Sequence, residues 1–248
     1  MRIIGGTAAG RLLKVPKGYD VRPTPDLVRQ AIFNSLGERV VGARVLELFA
    51  GTGALSLECL SRGAVRAVCV EKSERHAGFL RSNFADAGLA HSLEGPAQQR
   101  EVVSGTPHPS FGHPPPSSDE GRGQGEESPH PSDRSDKRGS PASTCEVRVQ
   151  DAFTAVAQLA APGAQFDLIL ADPPYGEKNI GRRSTSFAQQ LLDDVNLPLL
   201  LAPDGLFILG HTKRDTLDLP DVWHDHKILK HGDTVMRFLR KRVGGVME

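Results

Sequence analysis

The strongest indication of the fold is the stretch RVLELFAGTGALSLECLSRG at residues 44–63. Its first six residues form a short apolar run that predicts a buried β-strand, and residues 54–63 predict a helix. The connection between them contains Gly51 and Gly53. Glycines let the backbone approach a ligand closely, and open α/β sheets bind ligands at the carboxyl ends of their strands. The stretch therefore favours a nucleotide-binding turn, although a tight turn without a ligand has the same pattern.

The alternation of strand and helix continues along the rest of the chain. In the first predicted helix, Thr24 is the expected cap, Pro25 the first residue and Gly37 the end. Continuous apolar strands separated by helices predict a parallel sheet with helices on both faces. Besides residues 44–63, the predicted elements are strands at 66–71, 145–150, 166–171 and 205–210, helices at 24–37, 73–88, 152–160 and about 185–201, and two closing strands around the turn at His231–Asp233.

The predicted fold class is therefore α/β, with a mostly parallel seven-stranded sheet and a C-terminal antiparallel hairpin. Residues 1–20, with glycines at positions 5, 6 and 10, predict a small β-hairpin extension, and residues 21–248 form the main domain. Inside that domain, the segment from Ser104 to Ser143 is dominated by proline, glycine and serine. It has too few apolar side chains to offset the entropy of ordering, so residues 95–144 are predicted to be a disordered insertion.

The composition is typical of a soluble globular protein. Apolar residues make up 38% of the chain and charged residues 24%. No apolar run is long enough for a transmembrane helix, and the N-terminus lacks the apolar core of a signal peptide. The three cysteines have no CxxC spacing, which predicts reduced thiols in a cytoplasmic protein. The nine histidines do not combine with cysteines or acids into a metal-binding pattern, so no metal is expected.

The charge distribution is uneven although the net charge is zero. Residues 1–39 contain seven basic and three acidic side chains, and residues 237–242 contain four basic ones. A solvated surface and a nucleic-acid contact explain these basic ends equally well.

Two acidic residues stand at the ends of predicted strands. Glu71 lies 20 residues after Gly51, where a carboxylate can hydrogen-bond a ribose diol, or simply favour the start of the next helix. Asp151 follows the third strand, where it can accept a hydrogen bond from an adenine amino group. It can equally cap the helix at 152–160, and both roles are compatible.

The tetrapeptide Asp172-Pro173-Pro174-Tyr175 directly follows the predicted strand FDLILA. An amino group on a nucleic-acid base is a poor nucleophile, because its lone pair is conjugated with the ring. Asp172 and the Pro173 carbonyl can both accept hydrogen bonds from such a group, which orients its nitrogen and stabilises the developing positive charge. The prolines remove backbone donors, and Tyr175 offers a face for stacking an extruded base. These four residues are the catalytic candidates, with a non-functional turn as the alternative.

The order of these motifs resembles that of the Rossmann-like amino-methyltransferases, in which a glycine loop precedes an Asp-Pro-Pro-Tyr motif. Further stretches resemble one family of these enzymes, the RsmD family of 16S ribosomal RNA guanine-N2 methyltransferases. They are RIIGG (2–6), Gly10-Arg11, Arg22-Pro23-Thr24, VRQAIFNSL (28–36) and Gly232-Asp233-Thr234.

The resemblance implies a Rossmann-like methyltransferase fold and S-adenosylmethionine as the cofactor. It implies that Asp172–Tyr175 bind the target guanine, and that Glu47, Gly51, Gly53, Glu71 and Asp151 bind the cofactor. It also implies that ribosomal RNA is bound by Arg2, Arg11, Lys14, Arg22 and Thr24. The chain departs from the family where Glu47 replaces the usual aspartate, where His231 replaces a frequent tyrosine, and in the inserted segment.

The function expected from these observations is methyl transfer to guanine N2 in small-subunit rRNA, by a cytoplasmic monomer acting on the assembling or assembled subunit. One alternative is an N6-adenine methyltransferase acting on DNA or RNA, because the tetrapeptide also suits that amino group. Another is a non-catalytic RNA-binding protein of ribosome assembly.

Overall fold

Seven strands form one mixed sheet in the computed structural model, which describes residues 1–16, 24–89, 143–176, 178–179 and 182–242. In chain order the strands are β1 (Arg44–Leu48), β2 (Arg66–Glu71), β3 (Thr144–Val149), β4 (Phe166–Ala171), β5 (Leu201–Thr212), β6 (Trp223–His231) and β7 (Thr234–Lys241). Their order across the sheet is β3-β2-β1-β4-β5-β7-β6. The first five are parallel, and β7 is antiparallel to both of its neighbours. The predicted sheet with its closing antiparallel hairpin is confirmed.

Six α-helices connect or precede these strands in the described part of the chain. None of them is long and apolar enough to cross a membrane. They are α1 (Asp26–Leu36), α2 (Ala54–Ser61), α3 (Glu74–Ala87), α4 (Ala152–Ala160), α5 (Phe187–Asp193) and α6 (Leu197–Leu200), and a short 3₁₀ turn follows α1 at Gly37–Val40.

The extents of two predicted elements were wrong by several residues. The helix expected at about 185–201 is two helices, because the chain turns at Asp194, whose side chain accepts hydrogen bonds from the backbone of Asn196 at 2.7 Å and of Leu197 at 3.1 Å. An aspartate side chain that accepts from the backbone two and three residues further on favours a turn over continuation of the helix. The strand expected at 205–210 runs from Leu201 to Thr212, because its ends pair with β4 and β7.

The core has two layers, one on each face of the sheet, as the doubly covered sheet predicts. One layer packs the N-terminal segment, α1, α2 and α3 against the sheet, and its large buried side chains include Phe33, Leu57 and Phe84. The other packs α4, α5 and α6 and includes Trp223 and Phe207. The sheet is therefore covered on both faces, and its carboxyl edge is left for a site.

The N-terminal segment is integrated into this core rather than appended to it. Its hairpin has one antiparallel bridge, between Arg2 and Leu12, and Ile3 is fully buried. The backbone N–H of Ile4 donates to the buried carboxylate of Glu58 on α2. The expected hairpin thus forms in part over residues 1–16, and residues 17–20 lie outside the described residues.

Residues 90–142, which include nearly all of the predicted insertion at 95–144, also lie outside the described residues. The disorder of that insertion and the domain bounds stay predictions. The described residues all belong to one compact unit, formed by Met1–Gly95 and Pro141–Glu248.

Candidate active site

The predicted site residues meet at the carboxyl edge of the sheet. Leu48, the last residue of β1, pairs with Val70 of β2 on one side and with Ala171 of β4 on the other. The glycine loop that follows Leu48 therefore lies between Glu71, which ends β2, and Asp172, which follows β4. This places the predicted cofactor residues and the tetrapeptide beside each other, as the parallel sheet requires.

The glycine loop has a conformation that favours glycine at two positions. Gly51 and Gly53 have φ angles of 55° and 75°. A Cβ on Gly53 would lie 3.0 Å from Leu80 and 3.2 Å from Phe84, so the loop packs closely on α3. The N–H of Gly51 donates to one carboxylate oxygen of Glu71 at 2.8 Å. The loop and the acid at the end of β2 are thus joined directly.

Asn83 links this loop to the N-terminal segment. Its side chain is buried on α3, and its Nδ2 donates to the carbonyl of Thr52 at 3.0 Å and to that of Lys14 at 3.1 Å. Its Oδ1 accepts from the Lys14 backbone at 2.7 Å. Sequence analysis missed this role, because a polar residue within a helix is most often solvent-exposed.

Phe49 begins the loop in a strained conformation. It is the one described non-glycine residue with a positive φ, 58°, a conformation that costs about 1–3 kcal/mol. Its ring centroid lies 5.5 Å from that of Phe187 and 6.3 Å from that of Phe153. The three rings form a partly exposed apolar wall beside the loop, which sequence analysis missed because they come from three separate segments.

Glu47 lies below the glycine loop rather than at its surface. Its carboxylate is buried, 4% exposed, and accepts a hydrogen bond from the Ser56 N–H at 2.9 Å, near the N-terminus of α2. Burial raises the pKa of Glu47 to about 7, although the hydrogen bonds from the helix backbone oppose the shift. The protonation state of this acid therefore changes close to neutral pH.

We expect the stability of the protein to report this titration. Because folding raises the pKa of Glu47, the folded state favours the protonated acid, and stability is lost as the pH rises from 4.5 through 7. Glu47→Gln keeps an acceptor for Ser56 but removes the charge. Relative to the variant, the free energy of unfolding of the wild type should fall by up to about 3 kcal/mol between pH 5 and pH 8. Denaturant titrations at each pH measure this difference, and parallel pH curves would refute the assignment.

Asp151 caps α4. Its Oδ1 accepts from the Phe153 backbone at 3.0 Å and from that of Thr154 at 3.4 Å, which confirms the structural alternative weighed from the sequence. Its other oxygen lies 3.6 Å from Nζ of Lys72. Its predicted contact with adenine stays a prediction.

Asp172 has one paired and one unpaired carboxylate oxygen. Oδ2 accepts a hydrogen bond from the Thr24 hydroxyl at 2.5 Å. Oδ1 is buried and has no hydrogen-bond partner among the described residues. Burial raises the pKa of Asp172, and the hydrogen bond from Thr24 opposes that shift. A buried acceptor without a partner costs free energy, so such an oxygen is a candidate ligand contact.

The predicted cap at Thr24 was wrong. α1 begins at Asp26, its N-cap is Pro25, and no side chain caps it. The Thr24 hydroxyl is used by Asp172 instead. Arg29, fully buried on α1, holds this arrangement by donating to the carbonyl of Thr24 at 2.9 Å and to that of Arg2 at 2.5 Å.

Gly210 makes room for Asp172, a role that sequence analysis missed. A Cβ on Gly210 of β5 would lie 2.3 Å from Asp172 Oδ1. The available signal was a glycine inside a predicted apolar strand, which often marks a close approach of another group.

The rest of the tetrapeptide reaches the surface. Pro173 is buried, whereas Pro174 and Tyr175 are exposed. The hydroxyl of Tyr175 lies 3.2 Å from that of Thr234, the first residue of β7, so the closing hairpin contacts the motif.

The predicted RNA-binding side chains of the N-terminal segment are exposed. Arg11 and Lys14 contact α3, through the Asp86 carbonyl at 2.5 Å and the Asp86 carboxylate at 2.8 Å. Thr24, in contrast, is buried against Asp172. Arg22 lies outside the described residues.

The fold and the arrangement of these motifs define the class. A sheet of this order, with a glycine loop after β1, an acid ending β2 and Asp-Pro-Pro-Tyr after β4, is the Rossmann-like fold of S-adenosylmethionine-dependent methyltransferases. The chain also matches the family described as Conserved hypothetical protein 95 over residues 1–106 and 136–240. It therefore belongs to this family, which is the RsmD family that the sequence resembles.

Known relatives agree with this placement. The chain is 43% identical over 110 residues to Ribosomal RNA small subunit methyltransferase D of Escherichia coli K12, a match covering 44% of this chain and 56% of that protein. The chain thus spans about half the length of the curated relatives it matches.

Two solved structures cover nearly the whole chain. The putative methyltransferase yhhF of E. coli is 25% identical with a TM-score of 0.60, covering 97% of both chains. A hypothetical protein of Thermus thermophilus is 23% identical with a TM-score of 0.63, covering 98% of this chain and 99% of its own, and shows the same fold.

Proposed function

We propose that the protein transfers a methyl group from S-adenosylmethionine to the exocyclic N2 of a guanine in 16S ribosomal RNA. The observation that carries the proposal is the unpaired, buried Oδ1 of Asp172 at the carboxyl edge of the sheet, beside the glycine loop. A base amino group that donates to this oxygen satisfies it and is held in one orientation.

The hydrogen-bond acceptors of the tetrapeptide orient the amino group so that its nitrogen can attack the methyl carbon. The ionised carboxylate of Asp172 and the carbonyl of Pro173 each accept one of its hydrogens, so that the nitrogen lone pair points away from them. They also stabilise the positive charge that develops on the nitrogen as its bond to the methyl carbon forms. Tyr175, with an exposed ring, offers a stacking face for the extruded base. The cofactor, when bound, supplies a methyl group on a sulfonium that is already a good leaving group.

The residues present fit this cofactor. Glu71 would accept hydrogen bonds from the ribose hydroxyls, because it ends β2 next to the Gly51 backbone. Asp151 and the Phe153 ring at the start of α4 suit the adenine, and Glu47 suits the cofactor's amino group in its ionised form. Gly53 lets the loop stay close to α3. The depth of Glu47 implies that its contact needs a shift of the carboxylate or a bridging water.

The partner proposed is ribosomal RNA in the assembling or assembled small subunit, with the enzyme acting as a cytoplasmic monomer. A relative that is 43% identical bears the name of a small-subunit ribosomal RNA methyltransferase, which supports this partner over DNA. The three cysteines are buried and free, in keeping with a reducing compartment.

A methyl-transfer assay tests the proposal. The protein is incubated with labelled S-adenosylmethionine and small subunits from a strain that lacks the modification, and the RNA is digested to nucleosides for mass spectrometry. We expect N2-methylguanosine, formed in a single position. N6-methyladenosine would instead support the adenine alternative, and absence of transfer to subunits and to free 16S rRNA would support a non-catalytic assembly protein.

A further inference from the structure

A second concave surface lies on the far side of the tetrapeptide from the glycine loop. It is a cavity of about 620 Å³ between residues 178–179 and 182–183, which follow the tetrapeptide in the chain, and residues 213–218, which follow β5. Because β5 neighbours β4 on the side away from β1, this cavity flanks Asp172 opposite the proposed cofactor residues.

The cavity is lined mainly by positive side chains. Five of its lining residues are cationic and one, Asp218, is acidic. Arg183 forms an ion pair with Asp193 at 2.7 Å. The other four cations have exposed side chains and form no ion pair with another described residue: Lys178, Arg182, Lys213 and Arg214. Such a group of unpaired cations attracts polyanions.

The side-chain amide of Asn179 holds the two walls together. It donates through Nδ2 to the carbonyl of Arg182 at 3.1 Å and to that of Thr216 at 2.9 Å. Its Oδ1 accepts from the Thr216 N–H at 2.8 Å. The backbones of the two loops that carry the cations are therefore held together by this side chain.

A cavity at the opposite edge of the sheet has a different charge pattern. It has a volume of about 280 Å³ and contains Arg44 and Arg66, the first residues of β1 and β2. Both arginines are paired, with Asp167 at 3.1 Å and with Glu146 at 2.9 Å. Cations at the amino edge are thus neutralised, whereas those beside the tetrapeptide are left available.

We propose that the cavity at residues 178–179, 182–183 and 213–218 binds the phosphodiester backbone of RNA next to the nucleotide to be methylated. The inference rests on the proposed function and adds a contact surface separate from the N-terminal segment. Lys213 and Arg214 line this cavity, directly follow β5 and form no ion pair with another described residue, so they are the cations that the test removes. Arginine and lysine contacts of this kind supply affinity without reading the base sequence.

The test compares two double variants of the full-length protein that lose the same charge. Lys213→Gln/Arg214→Gln removes two cations of the cavity, and Arg44→Gln/Arg66→Gln removes two at the opposite edge. Binding of a labelled single-stranded oligoribonucleotide of mixed sequence is measured by fluorescence anisotropy at several KCl concentrations. We expect the cavity variant to bind about tenfold more weakly. The slope of log K against log salt should decrease by about 1.4 in magnitude, while the control keeps the wild-type slope.

Equal affinities and slopes for the two variants would overturn the proposal. Thermal unfolding and binding of S-adenosylmethionine are measured on both, and we expect neither to change in the cavity variant. Failure of the proposed function is distinguishable from failure of this inference. If the wild type transfers no methyl group to subunits but the cavity variant still binds the oligonucleotide more weakly than the wild type, the proposed function fails and the proposed binding site stands.

Discussion

Asp172→Asn is expected to slow methyl transfer by about 10²- to 10³-fold while S-adenosylmethionine still binds. Asparagine has the shape of aspartate, and its amide oxygen can still accept from the Thr24 hydroxyl, which lies 2.5 Å from Oδ2. Its amide nitrogen then replaces the unpaired Oδ1. A donor therefore faces the donor hydrogens of the substrate amino group, and the negative charge that stabilises the developing cation is lost. Asp172→Ala is expected to abolish transfer.

Single-turnover transfer to unmodified small subunits measures the chemical step, and calorimetric titration measures cofactor binding. Asp167→Asn is the matched control, because Asp167 lies on β4, the strand that Asp172 follows, near the opposite end of that strand. We expect the control to transfer at the wild-type rate. A rate for Asp172→Asn within a few-fold of wild type would remove Asp172 from the reaction.

The same substitution is expected not to destabilise the fold. Burial raises the pKa of Asp172, so the ionised carboxylate costs stability in the folded protein at neutral pH. An uncharged amide avoids this cost, and the melting temperature of Asp172→Asn should equal or exceed that of the wild type at pH 7. The difference should shrink as the pH falls and the wild-type carboxyl becomes protonated. Loss of activity without loss of stability separates a functional residue from a structural one.

Much of the fold could be predicted because the first three apolar strands are each followed directly by a turn and a helix. β2, α4 and β4 have the predicted bounds, or differ from them by no more than one residue. A parallel sheet then brings the ends of neighbouring strands together whatever the loops do, so the proximity of Glu71, Gly51 and Asp172 follows from the topology alone.

What could not be predicted depends on contacts between distant segments. Thr24 is of a residue type that commonly caps helices, but tertiary packing brings its hydroxyl to Asp172, 148 residues further along the chain. Glu47 stands shortly before the glycine loop in the sequence, which suggests an acid at the surface of that loop. Its side chain is instead buried below the loop, where it accepts a hydrogen bond from the N–H of Ser56 on α2. Arg29 and Asn83 are buried polar residues inside helices, and only the packed structure supplies their partners.

The cations at residues 178–179 and 182–183 and at residues 213–218 illustrate the same limit. Neither stretch is basic enough to stand out in a chain with a net charge of zero. They form one surface because β5 returns beside β4 and Asn179 joins the two loops. Sequence analysis found the basic residues that are close together in the sequence, at the ends of the chain. It missed the basic residues of the cavity, which come from two separate segments and are brought together by the fold.

Gly210→Ala is expected to reduce methyl transfer by about 100-fold without touching any residue of the cofactor site. The added Cβ would lie 2.3 Å from Oδ1 of Asp172, 3.0 Å from its Cγ and 3.2 Å from Sδ of Met236. Gly210 pairs with Met236 inside the sheet, so the backbone of β5 has little freedom to retreat. The flexible methionine can yield, but the carboxylate must also turn away from the position in which it accepts the amino group. Overpacking of this kind costs about 1–3 kcal/mol of stability.

Gly205→Ala is the matched control, because it lies on the same strand and its added Cβ would meet mainly the side chain of Leu201 at 2.8 Å. We expect it to lose stability without losing transfer at a temperature where both variants are folded. The double variant Gly210→Ala/Asp172→Asn provides the decisive comparison. If Gly210 acts only by leaving space for the Asp172 carboxylate, the double variant transfers no more slowly than Asp172→Asn alone, because the interaction that the alanine disturbs has already been removed. Rate losses that multiply would instead show that Gly210 affects the reaction through a group other than Asp172. In that case the added Cβ does not act by displacing the Asp172 carboxylate.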